Sequence, residues 1–301
     1  MSSTSLATQR IGIVGLGLMG GSLALALRGR CRSIVAIEPQ PGVRQQALRA
    51  GIVTEATDEL AAGVTEVDLL VFATPVRTTV DLLAQLPALR PDGCLVTDLG
   101  STKAAVVAAM DDLPLAFAAI GGHPMCGKET SGLASADGDL YRDRTFVLCR
   151  SRRTTLAAEE TALALVAAVG ARPVFLPAAE HDALVAAVSH LPYAAAAALM
   201  RLVTDEAAWE ISASGFRDVS RLAGSDTRMM LDILMTNRPA ILAALRDYQA
   251  ELATLTVLLE AGDEPQLSEW VAAARVRHAA YRRHLSARPP GEEGVKDGDP
   301  G

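Results

Sequence analysis

The chain has 301 residues, enough for one large domain or two ordinary ones. Half the residues are hydrophobic but only 4% are aromatic, so alanine and leucine must build the core, which favours helices packed through small side chains. A net charge of −7 argues against a nucleic-acid or acidic-membrane surface, yet it leaves room for a locally basic pocket that takes a small anion.

The first ten residues hold no apolar stretch and are no signal peptide. Ile11–Val14 is a short apolar run leading into Gly15-Leu-Gly-Leu-Met-Gly20 and then a helical pattern from Leu23 to Arg28. This reads as strand, glycine turn, helix. Gly15 permits the tight turn, Gly17 lets backbone approach a pyrophosphate, and Gly20 lets helix lie against strand, with Leu18 and Met19 completing the cofactor loop. The helix N-terminus then offers free N–H groups and a positive dipole end to the phosphates. A second apolar run, Ser33–Ile37, ends in Glu38, 21 residues past Gly17. A carboxylate there accepts the ribose hydroxyls of NAD and repels the 2′-phosphate of NADP. Arg44 keeps NADP as the lesser reading; otherwise it lies on a solvated helix face.

Asp68–Thr74 is a further buried strand ending at the Thr74-Pro75 turn, Val80–Leu86 a helix, and Cys94–Asp98 the next strand. Buried strands alternating with helices predict a parallel, doubly wound sheet, whose ligands lie beyond the carboxyl ends of its strands. Thr74-Pro75, the turn from Asp98 to Lys103 and the stretch Gly121–Gly132 all emerge at that edge. In the second of these, Ser101 could donate a hydrogen bond to a ligand or cap the following helix, and Lys103 could supply local positive charge.

Gly121-Gly-His-Pro-Met-Cys-Gly-Lys-Glu-Thr-Ser-Gly132 has a composition that reads as a loop throughout. His123 within it is a general-base candidate near neutral pH, or a histidine that only satisfies backbone groups. Arg144–Leu148 and Arg172–Leu176 are later strands, with antiparallel pairing open. From residue 178 the pattern is helical only: 178–204, 228–235, 238–259 and 266–284. Ala183–Met200 is apolar, but it contains His190 and Pro192 between Asp182 and Arg201, which predicts a buried helix rather than a membrane span. His181 and His190, nine apart, face opposite ways on one helix, with His181 outward and His190 inward. Asp218 and Arg221, three apart, share a face if helical and form either a fork for a ligand carboxylate or a buried structural ion pair. There is no HExxH, zinc spacing, Walker loop or GxSxG, so no metal is expected. Cys31, Cys94, Cys126 and Cys149 are scattered without a CxxC pair, which fits a reducing cytoplasm.

The Gly15–Gly20 loop, Thr97-Asp-Leu-Gly-Ser-Thr-Lys103, Gly121-Gly-His-Pro-Met125, Ser189-His-Leu-Pro192 and Gly215-Phe-Arg-Asp-Val-Ser-Arg221, in this order, resemble the prephenate/arogenate dehydrogenase family of tyrosine biosynthesis. The likeness runs from about Ile11 to about Leu259. It implies a Rossmann-type NAD-binding domain at residues 9–177 and an all-helical substrate and dimerisation domain at 178–286; the polar, Gly/Pro-rich composition of 287–301 reads as a disordered tail. By resemblance His123 would take the proton of the ring hydroxyl, Ser101 would assist and align the nicotinamide, and Arg221 would grip a substrate carboxylate. His190, Asp218 and Tyr193 would border the substrate, with Glu129 at the pocket entrance and Thr74 and Pro75 beside the cofactor. The implied reaction is NAD-dependent oxidative decarboxylation of prephenate to 4-hydroxyphenylpyruvate by a cytoplasmic homodimer that binds neither nucleic acid nor membrane. Lys128, Tyr193 and Met230 depart from residues common in the family around the substrate tail, so arogenate stays open as the substrate. A β-hydroxyacid dehydrogenase would need a lysine in the helical part, and Ala178–Leu259 has none. A non-catalytic NAD sensor is the remaining alternative.

Overall fold

A computed structural model describes residues 6–128 and 130–287. Its strands β1 (Arg10–Val14), β2 (Ser33–Ile37), β3 (Glu55–Thr57), β4 (Leu69–Phe72), β5 (Leu95–Asp98), β6 (Ala118–Pro124), β7 (Thr145–Arg150) and β8 (Arg172–Phe175) form one sheet in the order β3-β2-β1-β4-β5-β6-β7-β8. β1 pairs in parallel with both β2 and β4, so the strand order reverses direction at β1. A crevice opens at the carboxyl ends of strands where the order reverses in this way. The central strands are apolar without interruption because helices cover both faces. Side-chain alternation sorts them: Leu69 and Val71 enter one core with Ile11, Ile13 and Leu23, while Leu70 and Phe72 enter the other with Val96 and Met110. The helix Leu18–Leu27 makes the first crossover and buries Leu23, Ala24 and Leu27 completely. Each leucine so buried contributes roughly 1.5–3 kcal/mol.

The structure corrects the loop reading at one point. Gly121–Pro124 continue β6 and pair antiparallel with β7, placing His123 opposite Val147. On the other side the β5 register stops at Ile120, and side chains take over the pairing. The Gly122 N–H donates to Asp98 Oδ1 at 3.0 Å, and Lys103 Nζ donates to the Gly122 carbonyl at 2.7 Å. A Cβ on residue 122 would stand 2.5 Å from the Asp98 carbonyl, so only glycine lets the strand extend this far. β7 is antiparallel to β6 and β8 is parallel to β7, which settles the pairing left open.

After β8 the described residues contain helices only. Ala178–Val185 runs through a π turn, Ala186–His190, into Leu191–Leu202. By length and composition this 25-residue segment could cross a membrane. Its His181, Asp182 and His190 are nevertheless buried and hydrogen-bonded to residues of the same compact unit, the use expected of a core helix. Short helices Glu206–Glu210 and Ser214–Ser220 and the helix Thr227–Thr236 follow. One compact unit extends to Ile241, and a second begins at Leu242, inside the helix Arg238–Ala261. In that second unit Trp270 Nε1 donates to Glu251 Oε2 on the preceding helix at 3.3 Å. The expected tail, from residue 288 onward, lies outside the described residues.

Candidate active site

The glycine turn after β1 is shaped for backbone contact with a ligand. Gly15 has φ +93°, and a Cβ on Gly20 would lie 1.9 Å from the Gly15 carbonyl. Gly17 has nothing within 4 Å of its Cβ position. It is the N-cap of the helix Leu18–Leu27 and, having no side chain, makes no side-chain cap bond there. Glu38 is buried at the end of β2; its Oε2 accepts from the Leu16 N–H at 2.9 Å and its Oε1 from the Gln40 N–H at 3.0 Å. The carboxylate is thereby fixed beside the turn with lone pairs to spare. Arg44 is not on a solvated face: its guanidinium donates to the Glu38 and Pro39 carbonyls and pairs with Asp58 at 3.0 Å.

A cavity of about 480 Å³ opens beside this turn. Its walls include Gly17, Leu18 and Met19 after β1, Ala73 after β4, Ser101 after β5, His123–Lys128 at the end of β6, and Ser189, His190 and Tyr193 from the π turn and the helix after it. Leu222, Ser225, Met229 and Met230 close it from the later helices. A smaller cavity of about 190 Å³ shares Met19, Ala73 and Ser101 and adds Thr74 and Pro75. Thus the strand ends named from the sequence do meet at one edge. Glu129 lies outside the described residues. Asp218 and Arg221 are exposed and form no part of either wall, so a buried ion pair is not what they make.

Behind the wall lies a polar network. Lys103 is fully buried against the Asp98 carboxylate, and so supplies no free charge to the cavity; it anchors the strand that carries His123. Ser101 is no cap either. The helix Ala104–Asp111 starts after Lys103, and its free N–H groups at Lys103 and Ala104 donate to Asp182 at 2.7 and 2.8 Å. His181, expected to face outward, is fully buried, with Nε2 2.8 Å from His123 Nδ1 and Nδ1 2.8 Å from Asp182 Oδ1. The expectation assumed 100° per residue throughout, whereas an i→i+5 turn advances less per residue and so brings His190 back toward the His181 face. Asn237 donates to the Asp182 carbonyl at 2.7 Å and lies 3.1 Å from His190 Nδ1.

The electrostatics keep both wall histidines neutral. Burial, then His181, Lys103 and His190, push the His123 pKa well below its ordinary value. Burial takes His190 down to about 4, with Asp182 opposing and His181 assisting. Burial would raise Asp182, but hydrogen bonds from His181 and from the Ala104 and Lys103 N–H groups hold it below the usual carboxylate range. A neutral imidazole and a serine hydroxyl beside a nucleotide-shaped turn can take a proton from a hydroxyl while a hydride leaves the same carbon. Sequence reasoning missed His181, Asp182 and Asn237. A His-Asp pair where the chain leaves the sheet for an alanine-rich helix was the available signal.

Comparison with known proteins matches residues 23–175 to the nucleotide-binding domain of prephenate dehydrogenase and residues 177–273 to its dimerisation domain. Prephenate dehydrogenase of Bacillus subtilis is 31% identical over 93% of this chain and 76% of its own length. The crystal structure of prephenate dehydrogenase from Aquifex aeolicus, in complex with hydroxyphenyl propionate and NAD+, superposes with a TM-score of 0.85 at 28% identity, covering 92% of this chain and all of that one. Arogenate dehydrogenase of Synechocystis follows with a TM-score of 0.78 at 28% identity, covering 90% of this chain and 99% of that one. The nucleotide turn, the histidine-lined cavity beside it and these matches agree: the chain belongs to the prephenate dehydrogenase family.

Proposed function

We propose that the chain catalyses NAD+-dependent oxidative decarboxylation of prephenate to 4-hydroxyphenylpyruvate. The observation that carries this reading is His123, held neutral on the wall of a cavity that also exposes the nucleotide turn and Ser101. His123 accepts the ring hydroxyl proton, and Ser101 donates to the same oxygen or aligns the nicotinamide. NAD+, when held at the glycine turn, would supply the acceptor for the hydride that leaves the carbinol carbon. The ring carboxylate then leaves as carbon dioxide; the electrons of its bond make the ring aromatic, and His123 returns the proton to the phenolate oxygen. Aromatisation makes the step effectively irreversible.

Leu18, Met19, Thr74 and Pro75 would hold the dinucleotide along the strand ends. NAD+ is favoured over NADP+ because Glu38 is fixed where a 2′-phosphate would sit, and Arg44 is already engaged by two carbonyls and Asp58. His190 and Tyr193 contact substrate from the cavity wall. Arg221, supported by Asp218, grips a carboxylate, for which it must turn toward the wall that its neighbour Leu222 already forms. The domains divide at residue 177, and the helical part pairs two chains. Exposed Ile211, Val219, Leu231 and Met235 suit surface that a second chain would cover. Four free cysteines fit a cytoplasmic location.

The test is NADH or NADPH formation from prephenate or arogenate with NAD+ or NADP+. Turnover of prephenate with NAD+ is expected. Turnover of arogenate alone, the reading favoured by the Synechocystis neighbour, would keep the ring chemistry and reassign the pocket around Lys128 and Tyr193. Silence with both acids would overturn the proposal.

A further inference from the structure

We propose that His181 and Asp182 are positioning residues for this reaction, fixing His123 in the tautomer whose bare Nε2 serves as the base. The inference rests on the reading of His123 as that base, and it follows from donor and acceptor counting along one hydrogen-bond chain.

Asp182 sets the chain. Its Oδ1 accepts from the Lys103 N–H at 2.7 Å and its Oδ2 from the Ala104 N–H at 2.8 Å. Backbone N–H groups can only donate, so the carboxylate is kept as an acceptor on both oxygens. His181 Nδ1, 2.8 Å from Oδ1, must therefore carry a hydrogen. On an imidazole with a single hydrogen, that hydrogen is then on Nδ1 and His181 Nε2 is an acceptor. His123 Nδ1, 2.8 Å from that nitrogen, must donate to it. The single hydrogen of His123 is thus spent on the bond to His181, which leaves Nε2 of this cavity-lining residue with a bare lone pair. One buried carboxylate has fixed two rings. The rings meet edge-on, 74° between planes, so their in-plane nitrogens approach without stacking.

The same counting gives His190 the opposite tautomer. The Asp182 carbonyl accepts, so the Asn237 amide nitrogen faces it, and the second hydrogen on that nitrogen points to His190 Nδ1. His190 Nδ1 is then the acceptor and its Nε2 carries the hydrogen. Two neutral rings line one cavity, one offering a lone pair and the other an N–H.

A purely structural role would have Asp182 fasten the helix Ala178–Val185 to the start of the helix Ala104–Asp111. That explains the bonds to Lys103 and Ala104, but not why His181 is spent on His123. When His123 takes the hydroxyl proton, its bond to His181 becomes charge-assisted and the charge is balanced by Asp182 one ring away. The groups facing His123 are His181, Lys103 and His190, and of these only His181 has a carboxylate behind it on the path to His123 Nδ1.

The first test needs no substrate. The chain has five histidines, and His278 and His284 are exposed on the last helix. With both replaced by Gln, nitrogen NMR of 15N-histidine protein at neutral pH should show His123 and His181 protonated on Nδ1 and His190 on Nε2. His123 protonated on Nε2 would overturn the proposal. The second test is kinetic. His181→Leu should lower kcat about a hundredfold, the size of a general-base contribution, with the KM for prephenate and NAD+ affinity within about twofold. His181→Gln, whose carbonyl can accept from His123 Nδ1, should recover about tenfold of that loss, within the range of a general-base contribution. A His181→Leu enzyme with wild-type kcat, or one altered only in KM, would sink it. Should the wild-type protein leave prephenate untouched, the proposed function fails while the NMR spectrum still decides the tautomers.

Discussion

Two regions that the sequence singled out with equal force are built in opposite ways. The end of β6 with His123 is held by a fully buried Lys103–Asp98 pair, by Gly122 bonded on both backbone groups, and by His181 on Asp182. The segment carrying Asp218 and Arg221 consists of the helix Ser214–Ser220 and a 3₁₀ turn, Arg221–Gly224, neither of which buries a residue. The difference teaches where precision is needed. A proton-transferring nitrogen must sit within a few tenths of an ångström of its target, which buried, fully satisfied polar groups can ensure. A residue that grips a charged tail tolerates a looser mount and gains from being able to move.

The largest effect that would sharpen this contrast is on turnover. His123→Asn should cut kcat by about 10²–10⁴ with KM little changed, measured as initial rates of NADH formation. A loss confined to KM would make His123 a binding residue. Next comes stability. Lys103→Met leaves the Asp98 carboxylate buried without its cation and should cost about 3–5 kcal/mol in a denaturant titration. Asp218→Ala, on the exposed segment, should stay within about 0.5 kcal/mol. Equal costs for the two variants would break the comparison.

How much of this was legible beforehand depended on whether a residue's partners lie close in sequence. The Gly15–Gly20 turn, Glu38 and the buried strands announce themselves locally, because a tight turn and a parallel sheet restrict residue type at fixed spacing. His123, Ser101 and His190 were found because each is a polar residue in a stretch whose sequence looks irregular, Tyr193 came from the family resemblance, and all four do reach the cavity. His181 was misplaced because its orientation depends on the π turn at Ala186–His190, which no periodicity marks. Lys103 was read as a possible ligand because its partner Asp98, five residues earlier, looked like part of the same polar turn rather than a buried counter-ion. Gly121–Pro124 looked unable to continue a strand, since the side chains that replace its missing strand partner are visible only in three dimensions.

Arg221→Ala tests the looser side. If the guanidinium grips a carboxylate, losing that charged hydrogen bond of about 1.5–3 kcal/mol should raise KM some tenfold to a hundredfold and leave kcat nearly intact. Unchanged saturation by prephenate would assign Arg221 to the fold.

The smallest and most diagnostic effect is on pH dependence. His123 and His190 are both held neutral in the folded chain, the first well below its ordinary pKa and the second at about 4. In the unfolded chain both titrate near 6.5. Above about pH 6.5 neither state gains a proton, so this part of the stability is intact. Between about 6.5 and 4 the unfolded chain binds protons that the folded chain refuses, and stability should fall steadily as the solution is acidified. Asp182, depressed below the usual carboxylate value, adds its own loss only at still lower pH. For the same reason the acid limb of kcat/KM should lie clearly below pH 6.5, because His123 remains an unprotonated base until its lowered pKa is reached. His190→Gln should flatten the stability slope between pH 6.5 and 4 while leaving the position of the acid limb to His123. A limb centred at about 6.5 would mean that His123 titrates as it would in water, and the contrast between a rigid, buried proton site and an open substrate grip would then fail at its stronger end.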